Sequence, residues 1–276
     1  MFTLNCKGKL LMIEKPLVMG IINVTPDSFY EGSRQKTADA ILSQAKKMIE
    51  DGADIIDIGG QSTRPGSKRI SVKEELQRVL PAIEIILKNF TDTIISVDTY
   101  QSEVAEKTIR AGASIINDIS AGNLDNKMIS TIAKLQVPYI CMHMKGTPEN
   151  MQRQAAYENV TKEILDFFIK KINECKNAGI NDVIIDPGFG FGKTISHNFR
   201  LLKELCVFKM LEKPILAGLS RKSTIYKTLG VSAEEALNGT TVLNTIALQN
   251  GANILRVHDV KEAKEAITLF EKYADA

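Results

Sequence analysis

The chain has 276 residues, 44% of them hydrophobic and 25% charged, the composition of an ordinary soluble globular protein and a length that suits one large domain and leaves no room for a second. Its 35 basic and 33 acidic side chains give a formal net charge of +2, which argues against nucleic acid or an anionic membrane as the main partner while still allowing a locally basic pocket. Cys6, Cys141, Cys175 and Cys206 form no C-x-x-C pair, none has a His at metal-ligand spacing, and no run reaches the length of a membrane span, so the chain reads as cytoplasmic with reduced thiols.

In chain order, residues 1–13 lack the unbroken apolar stretch of a signal peptide and predict a hairpin turning near Asn5–Gly8, suited to plugging a barrel floor. A phrase then recurs four times: Gly52-Ala-Asp-Ile-Ile into Asp57, Gly112-Ala-Ser-Ile-Ile into Asn117, Gly179 through Ile185 into Asp186, and Gly251-Ala-Asn-Ile-Leu into Arg256. Glycine suits the left-handed residue just past a helix, and a short Ile/Val run bounded this way predicts a parallel strand buried on both faces, with the polar residue at its C-terminal tip. The remaining strands are expected at 17–22, 93–97, 138–142 and 214–218. Helices are expected at 38–51, 72–88, 102–111 with Ser102 as N-cap, 125–135, 160–178, 196–205, 233–249 and 260–273. Eight βα units in one alternating series predict an α/β protein, a (β/α)8 TIM barrel carrying a short N-terminal β-hairpin, as a single domain over 1–276.

The predicted tips carry Asn23, Asp57, Asp98, Asn117, Met142 with His143, Asp186, Gly218 with Ser220-Arg221-Lys222, and Arg256 with His258. One Asp after a strand ordinarily caps a helix or starts a turn, but that reading must here serve nearly every tip at once. A pocket at the C-terminal face accounts for them together. Asp98, Asn117 and Asp186 offer carboxylate acceptors and an amide, a set suited to a flat heterocycle with amino and lactam edges. Arg256 and His258 share one face of the last strand, just ahead of a helix start, which suits an anion. Asn23, on the adjacent strand, is placed to hold Mg²⁺ on phosphates bound there. Phe189-Gly-Phe-Gly-Lys193-Thr194 imitates the end of a P-loop, but Pro187 stands where its first glycine belongs; Gly188, Gly190 and Gly192 instead read as close backbone approach to a ligand beside Asp186. Lys222, between Arg221 and Ser223, is a poor match for a Schiff-base amine and reads as a charged donor to the ligand.

Taken as a set, Gly20 through Phe29, Asp57 through Gly66, Ser96-Val-Asp98, Ile116 through Ile119, Asp186 through Lys193, Gly218 through Ser223 and Leu255 through Asp259 resemble the dihydropteroate synthases, in that family's order and over nearly the whole chain. The resemblance implies condensation of a dihydropterin methyl diphosphate with p-aminobenzoate in folate synthesis, giving 7,8-dihydropteroate and diphosphate. It implies that Asp98, Asn117, Asp186 and Lys222 bind the pterin, with Met142 and Gly218 lining its site, and that Arg256, His258 and Asn23 with Mg²⁺ bind the diphosphate. It also implies that a first loop (Thr25–Ser28, Phe29) and a second (Ser62, Thr63, Arg64, Pro65) close over the site. Those loops, with Phe191, Arg221 and Ser223, would shape the p-aminobenzoate pocket, which sulfonamides would mimic their way into. Arg64, Lys222, Asp98 and Asp186 are the residues expected to carry catalysis, and a homodimer through late helices is implied. Tyr30-Glu31 and Gln61 depart from the family's usual residues, both in these loops.

No nucleophile–base pair and no H-E-x-x-H motif is present, and a dissociative substitution requires neither. Three other readings use some of the same residues: a pterin-binding methyltransferase barrel, which has no use for an Arg256–His258 clamp, a Schiff-base aldolase on Lys222, and a non-catalytic pterin-binding barrel, which would be marked by loss of loop residues. In the helix expected at 233–249, Ala236, Leu237, Val242, Ile246 and Ala247 suit either a dimer contact or packing on the barrel.

Overall fold

The computed structural model describes residues 1–24, 34–63 and 66–276, with the backbone alone at 34–37. Strands β1 (Phe2–Cys6) and β2 (Lys9–Ile13) pair antiparallel. They turn through Lys7 and Gly8, both at positive φ, as a two-residue hairpin loop requires. There follow β3 (Leu17–Asn23), α1 (Arg34–Glu50), β4 (Ile55–Gly59), α2 (Val72–Asn89), β5 (Ile94–Asp98), α3 (Ser102–Arg110), β6 (Ile115–Asp118), α4 (Met128–Leu135) and β7 (Tyr139–Met142). The chain continues through α5 (Val160–Ala178), β8 (Val183–Asp186), α6 (Ile195–Lys203), β9 (Leu216–Ala217), α7 (Ser223–Leu229), α8 (Leu237–Gln249), β10 (Ile254–Val257) and α9 (Val260–Ala274).

The eight strands from β3 to β10 form one parallel sheet in the order β8-β7-β6-β5-β4-β3-β10-β9. A bridge between Ile185 and Ile215 joins its two ends and closes the barrel. The four recurring glycines all lie at positive φ, 97° at Gly52, 116° at Gly112, 86° at Gly179 and 100° at Gly251. Gly179 is typical: it caps α5 in the left-handed conformation and returns its N–H to the carbonyls of Cys175 and Lys176.

Two sets of side chains fill the molecule. Outward-facing strand residues such as Val18, Ile56, Val97, Ile116 and Ile185 pack under the helices. Inward-facing Met19, Ile55, Ile94, Ile140, Ile184 and Ile254 meet Leu4, Cys6 and Ile13 of the hairpin. The hairpin therefore plugs the floor of the barrel with hydrocarbon. It is tied down by its Asn5 N–H, which donates to Asp182 at 2.7 Å, and by Lys7 Nζ, which donates to the Ile109 carbonyl at 2.7 Å.

Three local expectations are corrected. Ser102 is the first helical residue of α3 rather than its N-cap; its N–H donates to Asp125 Oδ2 at 2.8 Å, so the cap comes from the next loop. Asp125 thereby precedes α4, which begins at Met128. The polar stretch after β9 contains α7, a helix the apolar periodicity did not reveal, because most of its first turn is Ser223-Thr224 and only Ile225 presents a fully buried aliphatic side chain.

Leu4→Ala at the barrel floor should lower the unfolding free energy by about 2–5 kcal/mol in a urea titration, whereas Leu10→Ala, 64% exposed on the same hairpin, should change it by no more than about 0.5 kcal/mol.

Candidate active site

Parallel pairing sets the strand tips level, so residues far apart in sequence meet at the barrel mouth: Asn23 pairs with Gly59, Gly59 with Asp98, Asp98 with Asn117 and Met142 with Asp186. At the centre is Arg256 on β10. Its Nε donates to Asp57 Oδ2 at 2.6 Å and its Nη2 to Asp98 Oδ2 at 2.7 Å. Asn117 Nδ2 donates to the same Asp57 oxygen at 3.1 Å. Breaking such a buried ion pair by removing one partner typically costs about 3–5 kcal/mol, because the other charge is left uncompensated. Three acceptors in this cluster, Asp57 Oδ1, Asp98 Oδ1 and Asn117 Oδ1, are buried and without a hydrogen-bond partner among the described residues. Orphaned buried acceptors in a polar recess call for donors from a ligand.

Burial drives the electrostatics. It pushes Asp98 up to about 7 against the pull of Arg256, with Asp57 adding repulsion. Asp186 is likewise raised by burial and opposed by Lys222. Lys222 is lowered to about 8 by burial, with Asp186 holding it back. The Lys222 ammonium donates to the Phe189 carbonyl at 2.5 Å and stands 4.8 Å over the Phe191 ring. Gly218 separates Lys222 from Arg256: a Cβ there would lie 3.7 Å from Lys222 Nζ and 3.9 Å from Arg256 Cβ. The carboxylate and basic groups thus share one mouth instead of forming two separate halves, and Arg256 belongs to both.

His258 stands exposed at the rim, yet the protein around it and the nearby Arg256 lower its pKa to about 4. Ser220 Oγ accepts from the His258 backbone N–H at 3.2 Å and lies 3.0 Å from Nδ1. With the hydroxyl proton donated to Nδ1, the imidazole is neutral and its Nε2–H is a donor. Arg221, at φ 52°, makes paired 2.8 Å contacts to Asp259 and further bonds to the carbonyls of Ala233 and Glu234. Its guanidinium is therefore bound to the segment between α7 and α8 and to the start of α9. Ser223 opens α7 beside it.

Met142 and Phe191 meet in an apolar cluster with Tyr100, Ile119, Leu124 and Met144, the greasy wall of the mouth. Ser62 and Thr63 lie half-buried in the loop after β4, whose base is fixed by Gln61: Nε2 donates to the Tyr100 hydroxyl and Oε1 accepts from Ile70 N–H at 3.4 Å. The Gln61 departure thus holds the two ends of this loop together. Thr25–Ser28, Phe29, Tyr30, Arg64 and Pro65 lie outside the described residues. Asn23 ends β3; a Cβ on Gly59 would lie 3.6 Å from Asn23 Oδ1 and 3.6 Å from Asp98 Cβ, so a glycine there lets these two tips face each other.

Sequence reasoning placed Asp57 and Ser220 among the tips of the pocket but gave neither a role, though Asp57 is the main partner of Arg256. It named Asp259 only as the end of the Leu255–Asp259 segment; its adjacency to His258 was the cue to more. Asp118 shows the ordinary use of such an Asp: its carboxylate takes the Ser120 and Gly122 N–H groups and the Tyr139 hydroxyl, shaping the turn after β6.

Residues 19–258 match the family of pterin binding enzymes. The chain is 44% identical over 270 residues to the dihydropteroate synthase of Escherichia coli (strain K12), covering 97% of this chain and 95% of that one. It superposes with a TM-score of 0.93 on the Xanthomonas albilineans dihydropteroate synthase solved with 4-aminobenzoic acid, at 39% identity over 99% of this chain and 98% of that one. The complex of the X. albilineans enzyme with 7,8-dihydropteroate matches at TM-score 0.89 and 36% identity, over 100% of both chains.

Carboxyl carbon NMR should find Asp98 titrating near 7. Arg256→Met should move that value up, since the attraction of the guanidinium is lost, and Asp57→Asn should move it down, since a repelling charge is removed; a reversed sign for either variant would contradict this cluster.

Proposed function

The chain belongs to the dihydropteroate synthases of the pterin binding enzyme family, and on that footing we propose how its own residues carry the reaction. It is a transferase that condenses a dihydropterin methyl diphosphate with p-aminobenzoate to 7,8-dihydropteroate and diphosphate. The observation that supports the residue assignment best is the set of three acceptors on Asp57, Asp98 and Asn117 beside Arg256 that have no partner among the described residues.

A pterin presents amino and lactam N–H donors along one edge. Asp98, Asn117 and Asp186 take that edge, and a ring lacking these donors leaves buried oxygens unpaired, which makes the site selective. Lys222, poised near 8, donates to a ring acceptor. Met142 covers a face of the ring system, and Phe191, in the same apolar cluster, is where p-aminobenzoate packs. Arg256 spends only part of its donor set on Asp57 and Asp98, and the other N–H groups serve the diphosphate, together with the Nε2–H of neutral His258.

Among the described residues no three His, Cys, Asp or Glu side chains cluster to enclose a metal. Asn23, whose amide oxygen lies at the mouth beside Gly59, would be the protein side of a Mg²⁺ site, which fits an ion that takes few protein oxygens and completes its shell with phosphate. Mg²⁺ held there would neutralise charge on the departing diphosphate. The pterin ring spreads the positive charge left on its methylene, and the aromatic amine, neutral at pH 7, attacks without a strong base. This dissociative course asks the protein to hold, orient and exclude water, and the Thr63–Arg64 loop supplies the exclusion.

The four cysteines, without a pairing pattern, support a reducing cytoplasmic location. Among the described residues no helix is long and apolar enough to cross a membrane. A homodimer through α8 and α9 is supported by Val242, Leu269 and Tyr273, which are 50%, 72% and 72% exposed and leave apolar surface on those helices, while Ala236 and Ala247 are buried on the barrel.

Mixing the protein with dihydropterin methyl diphosphate, p-aminobenzoate and Mg²⁺ should release diphosphate and form dihydropteroate, with loss of product on omitting any one. Asp186→Ala should abolish pterin binding by calorimetry, whereas Arg64→Ala should lower turnover and leave pterin binding largely intact; equal loss of both in Arg64→Ala would remove it from loop closure. Light scattering should report a dimer that Leu269→Arg converts to monomer.

A further inference from the structure

The glycine-rich segment after β8 has no regular structure, so its backbone carbonyls have no ladder partners and must be satisfied some other way. Side chains do this for five in succession. Lys193 Nζ donates to Gly188 O at 2.9 Å and Phe191 O at 3.1 Å. Lys222 Nζ takes Phe189 O at 2.5 Å, Gln152 Nε2 takes Gly190 O at 2.9 Å, and the Tyr157 hydroxyl takes Gly192 O at 3.0 Å. The amides are held as well: Gly188 N–H donates to Asp186 Oδ1, Gly190 N–H to Asn198 Oδ1 and Phe191 N–H to Gly188 O.

Lys193 is the hub. It is 3% exposed, and no carboxylate lies within ion-pair distance of it among the described residues. Its amine also donates to the His143 carbonyl at 3.3 Å and lies 3.1 Å from His143 Nδ1. Carbonyl dipoles from two segments converge on one amino group, whose pKa burial pushes well below the ordinary lysine range. The arrangement inverts a phosphate-binding loop, in which backbone N–H groups converge on an anion. It also explains two of the glycines that sequence reasoning assigned to a ligand. A Cβ at Gly188 would lie 2.0 Å from His143 O and one at Gly192 2.7 Å from Lys145 O, so the close approach is to the β7 exit.

We propose that Lys193 is a positioning residue: its buried amine holds the carbonyls of Gly188 and Phe191 so that the Phe191 ring is presented to the second substrate in the mouth. The proposal rests on the function read above, in which p-aminobenzoate packs at Phe191. Phe191 lies between carbonyls held by Gln152 and Tyr157 and has its own carbonyl on Lys193, so loosening the hub moves its ring. Lys193 makes no hydrogen bond to Asp57, Asp98 or Asp186, so the ring-edge carboxylates lose no hydrogen-bond donor when it is changed.

The test compares Lys193→Met with Phe191→Ala and the double variant. Lys193→Met should speed amide exchange at 188–191 at least about tenfold in the free protein, and raise KM for p-aminobenzoate about tenfold with kcat within about threefold and KM for the pterin diphosphate within about twofold. The double variant should lose little more than Phe191→Ala alone. A merely structural lysine would instead give equal losses for both substrates, additive with Phe191→Ala, and that result overturns the proposal, as does unchanged exchange at 188–191. Should Lys193→Met fail to fold, Gln152→Ala and Tyr157→Phe, which remove the outer donors, must raise KM for p-aminobenzoate selectively; unchanged values overturn it equally. Wild-type protein that forms no dihydropteroate would refute the reaction, while the exchange measurement still decides the cage.

Discussion

Two carboxylates and an amide oxygen are kept away from water at the tips of neighbouring strands, and one guanidinium compensates for them. Everything else at the mouth follows from this. A carboxylate buried next to another resists ionisation, which is why Asp98 reaches about 7 with an arginine 2.7 Å away. The compensation is incomplete by hydrogen-bond count, since one oxygen on each of Asp57, Asp98 and Asn117 has no donor among the described residues. A protein carries such unpaired acceptors at a cost of about 1–3 kcal/mol each, which a ligand with matching N–H groups recovers.

The barrel was legible because it is built on short-range signals. The glycine that ends a helix, the Ile/Val run and the polar tip are all written within eight residues, and their repetition gave the series. Boundaries at α5 fell where the Asn159 cap and Gly179 put them. The misplaced features depend on contacts distant in sequence. Ser102 looks like an N-cap until Asp125 supplies the cap from the next unit, and α7 is short and polar on the face the periodicity samples.

The site was legible as a ring of residues and illegible as a network. Sequence places Arg256 with His258 and separates it from Asp98, because the pairs are read along strands. The fold reads across strands, and there Arg256 meets Asp57 and Asp98 from two other βα units, 199 and 158 residues away. Lys193 was hidden for a related reason: its motif looked like a phosphate loop, and the positive φ of Gly188, Gly190 and Gly192 lets the segment fold so that the Gly188 and Phe191 carbonyls meet the lysine.

The hairpin that fills the barrel floor has a consequence for traffic. Hydrocarbon from Leu4, Cys6 and Ile13 bars the lower end, so reactants and products pass by way of the mouth. A ring seated on the tip carboxylates lies between them and bulk solvent, so the departing diphosphate must pass its edge on the side of Arg256 and His258.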